Sequence, residues 1–358
     1  MRFEHETLAQ RVQFAPGDAP AAVFAEVERL GSARVMVIAS ATTNDLARKV
    51  TAELPVALYY NEVLMHVPVA AAERARAAAA EHEVDLLVSV GGGSTTGLAK
   101  AIALNSGLPI VAVPTTYAGS EVTSVWGLTE GNRKTTGSDP RVLPRSVVYD
   151  ASLTLSLPVA LSVASGLNAL AHCVDSMWGP RTDPVDQALA GEGIRALAAG
   201  LPDVVADPAG LPGREQVLFG AYLSAVAFSS AGSGLHHKIC HVLGGAYNLP
   251  HAQTHAVVLP YVLAFNAPAA PEAERRIATA FNATSAVEGL QQLRQLVAAP
   301  AALRDHGFSK KHIEDAAQAI LESIPVNNPR PVTADDVRQL LCAAWAGTDP
   351  MALASSTN

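Results

Sequence analysis

Cysteine is scarce: Cys173, Cys240 and Cys342 are the only three in 358 residues, and no CxxC pair occurs. That excludes a disulfide scaffold and a cysteine-rich zinc site, and points to a reducing compartment. Charge is also sparse, at 16% of residues, with 25 basic against 33 acidic side chains and a net charge of −8. An acidic chain has no electrostatic reason to coat nucleic acid. No long apolar run is present. The longest, Val217 to Phe228, is broken by Gly220 and Ser224 and is too short to span a bilayer, so no membrane partner is expected. The opening MRFEHETLAQ carries acids where a signal peptide needs bases, which leads to an expected cytoplasmic location. GxGxxG and HExxH are both missing, so neither the Rossmann fingerprint nor zincin protease chemistry applies.

What the chain does have is a large apolar fraction, 49%, enough for one large or two medium domains. Its first half alternates continuous apolar runs with helical stretches. Arg34–Ser40, Asp85–Val90, Leu108–Pro114 and Ser146–Asp150 read as strands, and Pro68–Glu83 and Thr95–Leu104 as helices. Continuous rather than alternating apolar strands imply a parallel sheet covered on both faces. After about Leu155 the strand signal stops. Helical patterns follow at Gly166–Met177, Asp183–Ala199, Arg214–Phe228, His236–Leu243, Pro271–Phe281, Val287–Leu296, Lys311–Ser323 and Ala334–Ala346. The expected organisation is an α/β domain over 1–155 with a mostly parallel, dinucleotide-binding sheet, then an all-α domain over 156–358, with a site between them.

Gly91-Gly92-Gly93-Ser94 ends a strand and opens a helix. Helix N-termini offer unpaired N–H groups and partial positive charge, and glycine lets a diphosphate approach them. A second polar turn, Thr115-Thr116-Tyr117-Ala118-Gly119-Ser120, ends the next strand. Paired turns of this kind are how an open α/β sheet binds nucleotides. The first strand ends Ile38-Ala39-Ser40-Ala41, with no acid before Asp45, so nothing there repels a ribose 2′-phosphate.

Six of eleven histidines fall between His172 and His255, five of them in GLHHKICHVLGGAYNLPHAQTHAVVLP. His237 and His241 share one helical face, as do Asn168 and His172, and His251 opens a further segment after Pro250. These side chains can converge on a metal, or on a metal-free pocket that binds an anion and moves protons. A metal site would normally include a carboxylate, yet the position placed to supply one is the neutral amide Asn168. His236 and His255 fall off the shared faces.

Taken in order, the motifs GGGSTTGLAKAI from Gly91, PTT from Pro114, GSEVT from Gly119, GLNALAH from Gly166, HKICH from His237, Pro250-His251 and NPRP from Asn328 resemble the iron-containing alcohol dehydrogenase family, specifically its maleylacetate reductase branch. The resemblance runs over nearly the whole chain. It implies the dehydroquinate synthase-like fold, usually as a homodimer. It implies NADH or NADPH held by Gly92, Gly93, Ser94, Thr115, Thr116, Ser120 and Lys134, and Ser40 at the end of the first strand is the candidate contact at the ribose. In metal-dependent relatives, positions matching Asn168, His172, His237 and His251 bind iron or zinc, and the first is aspartate. Gly97 also stands where aspartate is common. Both departures are features of the metal-free branch, so no metal is expected. The implied reaction is reduction of 2-maleylacetate, a dicarboxylate, to 3-oxoadipate in aromatic-compound breakdown. The expected active-site residues are Asn168, His172, His237, His241 and His251, with imidazolium groups among the charge-stabilising elements and His241 as proton donor. Lys238 and Arg330 are candidate anion contacts. The competing readings are an iron- or zinc-dependent alcohol or polyol dehydrogenase and a sugar-phosphate cyclase-type lyase.

Overall fold

The computed structural model describes residues 2–131, 133–325 and 327–355. The chain divides into two compact units, one of Thr7–Leu157 and one of Pro158–Asn358 together with Met1–Glu6. The opening segment therefore groups with the helical unit, not with the α/β unit that follows it in sequence.

The first unit contains strands β1 (Arg11–Phe14), β2 (Val35–Ile38), β3 (Val56–Tyr60), β4 (Leu86–Gly91), β5 (Ile110–Pro114), β6 (Val125–Glu130), β7 (Arg133–Ser138) and β8 (Ser146–Tyr149). Six form a parallel sheet in the order β1-β8-β5-β4-β2-β3, while β6 and β7 make a separate antiparallel hairpin. Side chains alternate across each strand, so β2 sends Val35 and Val37 to one face and Met36 and Ile38 to the other. Helices α1 (Ala19–Leu30) and α2 (Asn44–Val50) bury Val23, Val27, Ala47 and Val50 on the first face. Helices α3 (Val69–Glu81) and α4 (Gly93–Ser106) bury Ala72, Ala75, Leu98 and Ile102 on the second. Two covered faces explain why the central strands β2, β4 and β5 are apolar at nearly every position, Ser89 of β4 being the exception.

The second unit holds α5 (Val159–Ser176), α6 (Pro184–Ala206), α7 (Leu211–Ala231), α8 (Leu235–Tyr247), α9 (His251–Asn266), α10 (Pro271–Phe281), α11 (Ala286–Leu296), α12 (Ile313–Leu321), α13 (Ala334–Ala346) and α14 (Pro350–Ser355). Helix α5 is buried at every position from Ser162 to Ser176, as befits a helix apolar all round. It starts seven residues before the expected Gly166, directly after Pro158. Helix α6 continues through Pro202 to Ala206, beyond its expected end at Ala199. Among the described residues no single helix is long and apolar enough to cross a membrane.

Candidate active site

In the first unit, the chain leaves β2 for β3 on one side and then returns to place β4 on the other, which makes β2/β4 the point where strand order reverses. Open α/β sheets bind ligands at the carboxyl ends of such strands. Gly92 sits at the N-cap of α4, where its carbonyl accepts the N–H groups of Thr95 (3.0 Å) and Thr96 (3.2 Å). The first-turn N–H groups of Gly93 and Ser94 have no helical carbonyl before them, which is the arrangement that binds anions at a helix start. Gly91 has φ +156°, and a Cβ there would stand 2.5 Å from Thr95 Oγ1. A Cβ on Gly92 would stand 3.0 Å from Thr116 Cγ2. The β4–α4 turn is thus a cradle that side chains would fill, and it fits a dinucleotide diphosphate.

Thr115 closes this cradle by donating its N–H to Gly91 O at 3.0 Å, and Thr116 follows it. Ser120, half-buried, opens the next turn. Ser40, after β2, hydrogen-bonds Thr42 and Thr43 hydroxyls at 2.9 Å each, and Thr43 Oγ1 reaches Val90 O at 3.5 Å. The structure therefore gathers Ser40, Gly92, Gly93, Ser94, Thr115 and Thr116 at one sheet edge. The expected contact Lys134 lies in β7, and its side chain is outside the described residues.

Lys100 behind this cradle was not singled out from the sequence. Fully buried in α4, its Nζ donates to Thr123 O (2.7 Å), Thr123 Oγ1 (3.1 Å) and Val125 O (2.8 Å). Those bonds tie α4 to the segment that follows Ser120. Burial pushes the ammonium down to about 7, partly countered by the nearby Glu121. The signal in the sequence is one charge inside the apolar run LAKAIAL.

In the second unit three helices converge. Helix α5 brings Asn168 and His172, α8 brings His236, His237 and His241, and α9 brings His251 and His255. His172 and His237 stack with ring centroids 4.9 Å apart, and Phe228 from α7 lies 4.3 Å from His237 and 4.7 Å from His172. His255 lies 4.8 Å from His237 and 4.3 Å from His251, and His241 lies 6.0 Å from His237. His236 Nε2 meets His255 Nδ1 at 3.0 Å. His236 and His255, which the helical spacing left off the shared faces, thus belong to the cluster. Helix α8 sits at 99° to α7, and α9 packs against both α5 and α8, so helix spacing alone does not decide which rings meet.

The organising carboxylate is Asp175, also absent from the sequence reading. It is fully buried on α5 and sits at the N-terminus of α8. Its Oδ2 accepts the N–H of Gly234 (2.9 Å), the peptide N–H of His237 (3.2 Å) and the ring Nδ1–H of His237 (2.7 Å). A Cβ on Gly234 would stand 2.5 Å from Asp175 Oδ1, so the turn into α8 is shaped around the carboxylate. Burial pushes Asp175 up to about 7, while three N–H donors hold the anion. With Nδ1 donating, His237 presents Nε2 as an acceptor, and that atom has no hydrogen-bond partner.

Burial drives the imidazoles toward neutrality. His172 falls to about 4 and His236 to about 3, and His237 and His255 fall well below the usual histidine range, with neighbouring rings adding to the effect for the last three. The expected imidazolium charge is therefore not carried by these four. Of the other two, His241 is half-buried and His251 exposed. Arg330 lies over the Phe265 ring at 4.1 Å and 3.6 Å from Asp336, while its carbonyl holds Asn328, so the candidate anion contact serves its own turn.

The donor set can be weighed against a metal. Six atoms are buried and without a hydrogen-bond partner here: Asn168 Oδ1, His172 Nδ1, Asp175 Oδ1, His236 Nδ1, His237 Nε2 and His255 Nε2. Five belong to an amide or to imidazoles, and the sixth to the carboxyl group of Asp175. The one carboxylate stands behind His237, with Oδ2 occupied by N–H donors. Ligand nitrogens of His236, His237 and His255 lie within 4.8 Å of one another, a neutral imidazole set of a kind that can hold zinc, while Asn168 adds no charge to balance a dication.

Comparison with known proteins decides the family. Residues 10–151 match the model for iron-containing alcohol dehydrogenases, and residues 162–345 match that for the C-terminal region of the Fe-containing alcohol dehydrogenase family. The chain belongs to the iron-containing alcohol dehydrogenase family. Within that family, a maleylacetate reductase of Burkholderia cepacia is 43% identical over 350 residues, covering 97% of this chain and 99% of the relative. The crystal structure of a maleylacetate reductase from Agrobacterium tumefaciens superposes with TM-score 0.92 at 38% identity, covering 98% of this chain and all of that one. A structure named as an iron-containing alcohol dehydrogenase, from Corynebacterium glutamicum, superposes with TM-score 0.97 at 61% identity and 99% coverage of both chains. Family membership accounts for both halves of the fold, the parallel sheet with its glycine cradle and the helical unit with its histidines.

Proposed function

We propose that this chain reduces the carbon–carbon double bond of 2-maleylacetate to give 3-oxoadipate, using NADH or NADPH and no metal. The observation that carries the metal-free part is Asn168, a neutral amide whose buried Oδ1 stands beside neutral imidazoles. Full-length relatives named maleylacetate reductase support the substrate.

When bound, the dinucleotide supplies a hydride. The chain's own residues do the rest. The Gly92–Ser94 turn and Thr115–Thr116 hold the diphosphate at the start of α4. Ser40, with no acid beside it, leaves the ribose 2′ position open to hydroxyl or phosphate. Asp175 fixes the ring of His237 and with it the position of the neighbouring His172 and His241 rings. Phe228 packs against His172 and His237 and excludes water from their faces. Negative charge develops on the ketone oxygen during reduction, and the carbon next to it must be protonated. His241, on the half-buried edge of the cluster, holds that proton, and His251 at the exposed start of α9 faces a substrate carboxylate.

Incubation with 2-maleylacetate and either nicotinamide coenzyme tests the reading. Stoichiometric coenzyme oxidation with 3-oxoadipate identified by mass spectrometry is the expected result. Coenzyme turnover only with alcohols, diols or aldehydes would move the chain to the metal-dependent alcohol dehydrogenase reading. One observation favours that rival: a carboxylate that orients His237 through Nδ1 is also how proteins orient a metal-binding histidine. The proposed enzyme is a cytoplasmic homodimer, and light scattering on the purified chain tests the assembly.

A further inference from the structure

A second group of ligating side chains closes on the start of α6, apart from the histidine cluster. Asp183 caps this helix, its Oδ1 accepting the N–H groups of Val185 (2.7 Å) and Asp186 (3.0 Å). Its other oxygen, Oδ2, lies 2.7 Å from Nδ1 of His5. Asp186 places Oδ1 3.8 Å from the same nitrogen. One ligand atom from each of the three residues lies within 4.8 Å of the others. Ser230 Oγ, near the end of α7, is 3.4 Å from His5 Nδ1.

Burial makes this arrangement informative. Asp186 is 0% exposed, and neither of its carboxylate oxygens makes a well-formed hydrogen bond, the Ser230 hydroxyl and the first-turn backbone being its weak polar neighbours. Among the described residues, His5 is the only basic side chain within 4.0 Å of it. Two adjacent carboxylates then face at most one positive charge, and an uncompensated buried carboxylate is costly. A dication would balance both carboxylates while His5 stays neutral and ligates through Nδ1. Two carboxylate oxygens and an imidazole nitrogen suit a divalent first-row metal. This set carries two carboxylates, whereas the histidine cluster has one, Asp175, which already holds N–H groups of the α8 turn. His5 keeps 16% of its side chain exposed, which leaves an entry path and room for water to complete the coordination.

We propose that His5, Asp183 and Asp186 form a structural site for a divalent cation such as Zn2+ or Mn2+, which fastens the opening segment of the chain to the helical unit. The grouping of Met1–Glu6 with that unit matches such a fastening. The site is separate from the reaction, so its success or failure is independent of the maleylacetate reading.

The test is calorimetric titration of Zn2+ into chelator-treated, dialysed full-length protein, with melting temperature read in parallel. The wild type is expected to take up an equivalent that raises the melting temperature. That equivalent should be lost in His5→Ala and in Asp186→Asn. No uptake by the wild type would overturn the proposal. So would full uptake by His5→Ala, since the ion would then sit elsewhere, the imidazole cluster included. If Asp186→Asn fails to fold, His5→Ala decides alone, because His5 precedes the first strand and lies outside the packed core.

Discussion

Asp175 grips His237 twice, with one oxygen 3.2 Å from its peptide nitrogen and 2.7 Å from its ring Nδ1. The carboxylate thereby starts helix α8 and fixes the tautomer of the ring in one contact. Asp175→Asn keeps the shape but offers an amide that can present N–H to Nδ1 and reverse the tautomer. Turnover is expected to fall about 100-fold, the scale seen when a carboxylate orienting a functional histidine is lost. Coenzyme KM should stay within about twofold, since the cradle lies in the other unit. A purely structural role would show instead as a lower melting temperature with turnover per folded molecule unchanged.

His241→Ala addresses the proton. Removing a general acid costs about 10²- to 10⁴-fold in turnover. Nicotinamide coenzyme affinity should be nearly untouched, which steady-state kinetics and fluorescence titration can separate. Unchanged turnover would remove His241 from the reaction and leave proton delivery to another group.

The cradle is testable at Gly92. A Cβ there meets Thr116 Cγ2 at 3.0 Å and occupies space the diphosphate needs. Gly92→Ala is expected to raise the coenzyme KM at least about tenfold through lost access to the helix N-terminus, with turnover at saturation less affected. An unchanged KM would place the diphosphate elsewhere.

Acid should destabilise the chain. His172, His236, His237 and His255 all titrate below the ordinary histidine range in the folded state. As pH falls from about 6.5 toward 4, the unfolded chain takes up protons that the folded chain refuses, so stability is lost over that window. Each such group contributes up to about 1.4 kcal/mol per pH unit. Asp175, raised to about 7, works the other way: the folded chain is the one holding that proton between about 3.8 and 7. Asp186, raised to about 6 by burial and by the adjacent Asp183, and Glu121, raised by burial, act in the same sense as Asp175, and the four histidines outweigh these three carboxyls. Melting temperature should therefore drop between pH 7 and 5, and a flat profile would show the rings to be solvated.

How much of this was readable from the residues depends on how local the signal was. DLLVSV followed by three glycines marks β4 and α4 because a buried parallel strand and a glycine turn are both local patterns. The edge strand β1, RVQF, has two polar residues in four and carries no such mark. Helix α5 lacks an amphipathic stripe because it is buried all round, which blurred its start. Asp175 lies seven residues after Asn168 and three after His172, on the same face, but a lone acid in an apolar helix carries no motif of its own, and its partner Gly234 is 59 residues away. His236 and His255 meet only because α9 packs on α8, and no spacing within either helix reports that. His5 and Asp183 are 178 residues apart, and neither segment announces the other.

The most direct test of the central claim follows NADH and NADPH absorbance with 2-maleylacetate generated in situ, before and after exhaustive chelation and again after adding Fe2+ or Zn2+. A donor set without an anionic ligand at Asn168 predicts rapid coenzyme oxidation at a rate that survives chelation and does not rise on metal addition. Activity that vanishes with the chelator and returns with iron or zinc would contradict the account and make Asn168 a metal ligand.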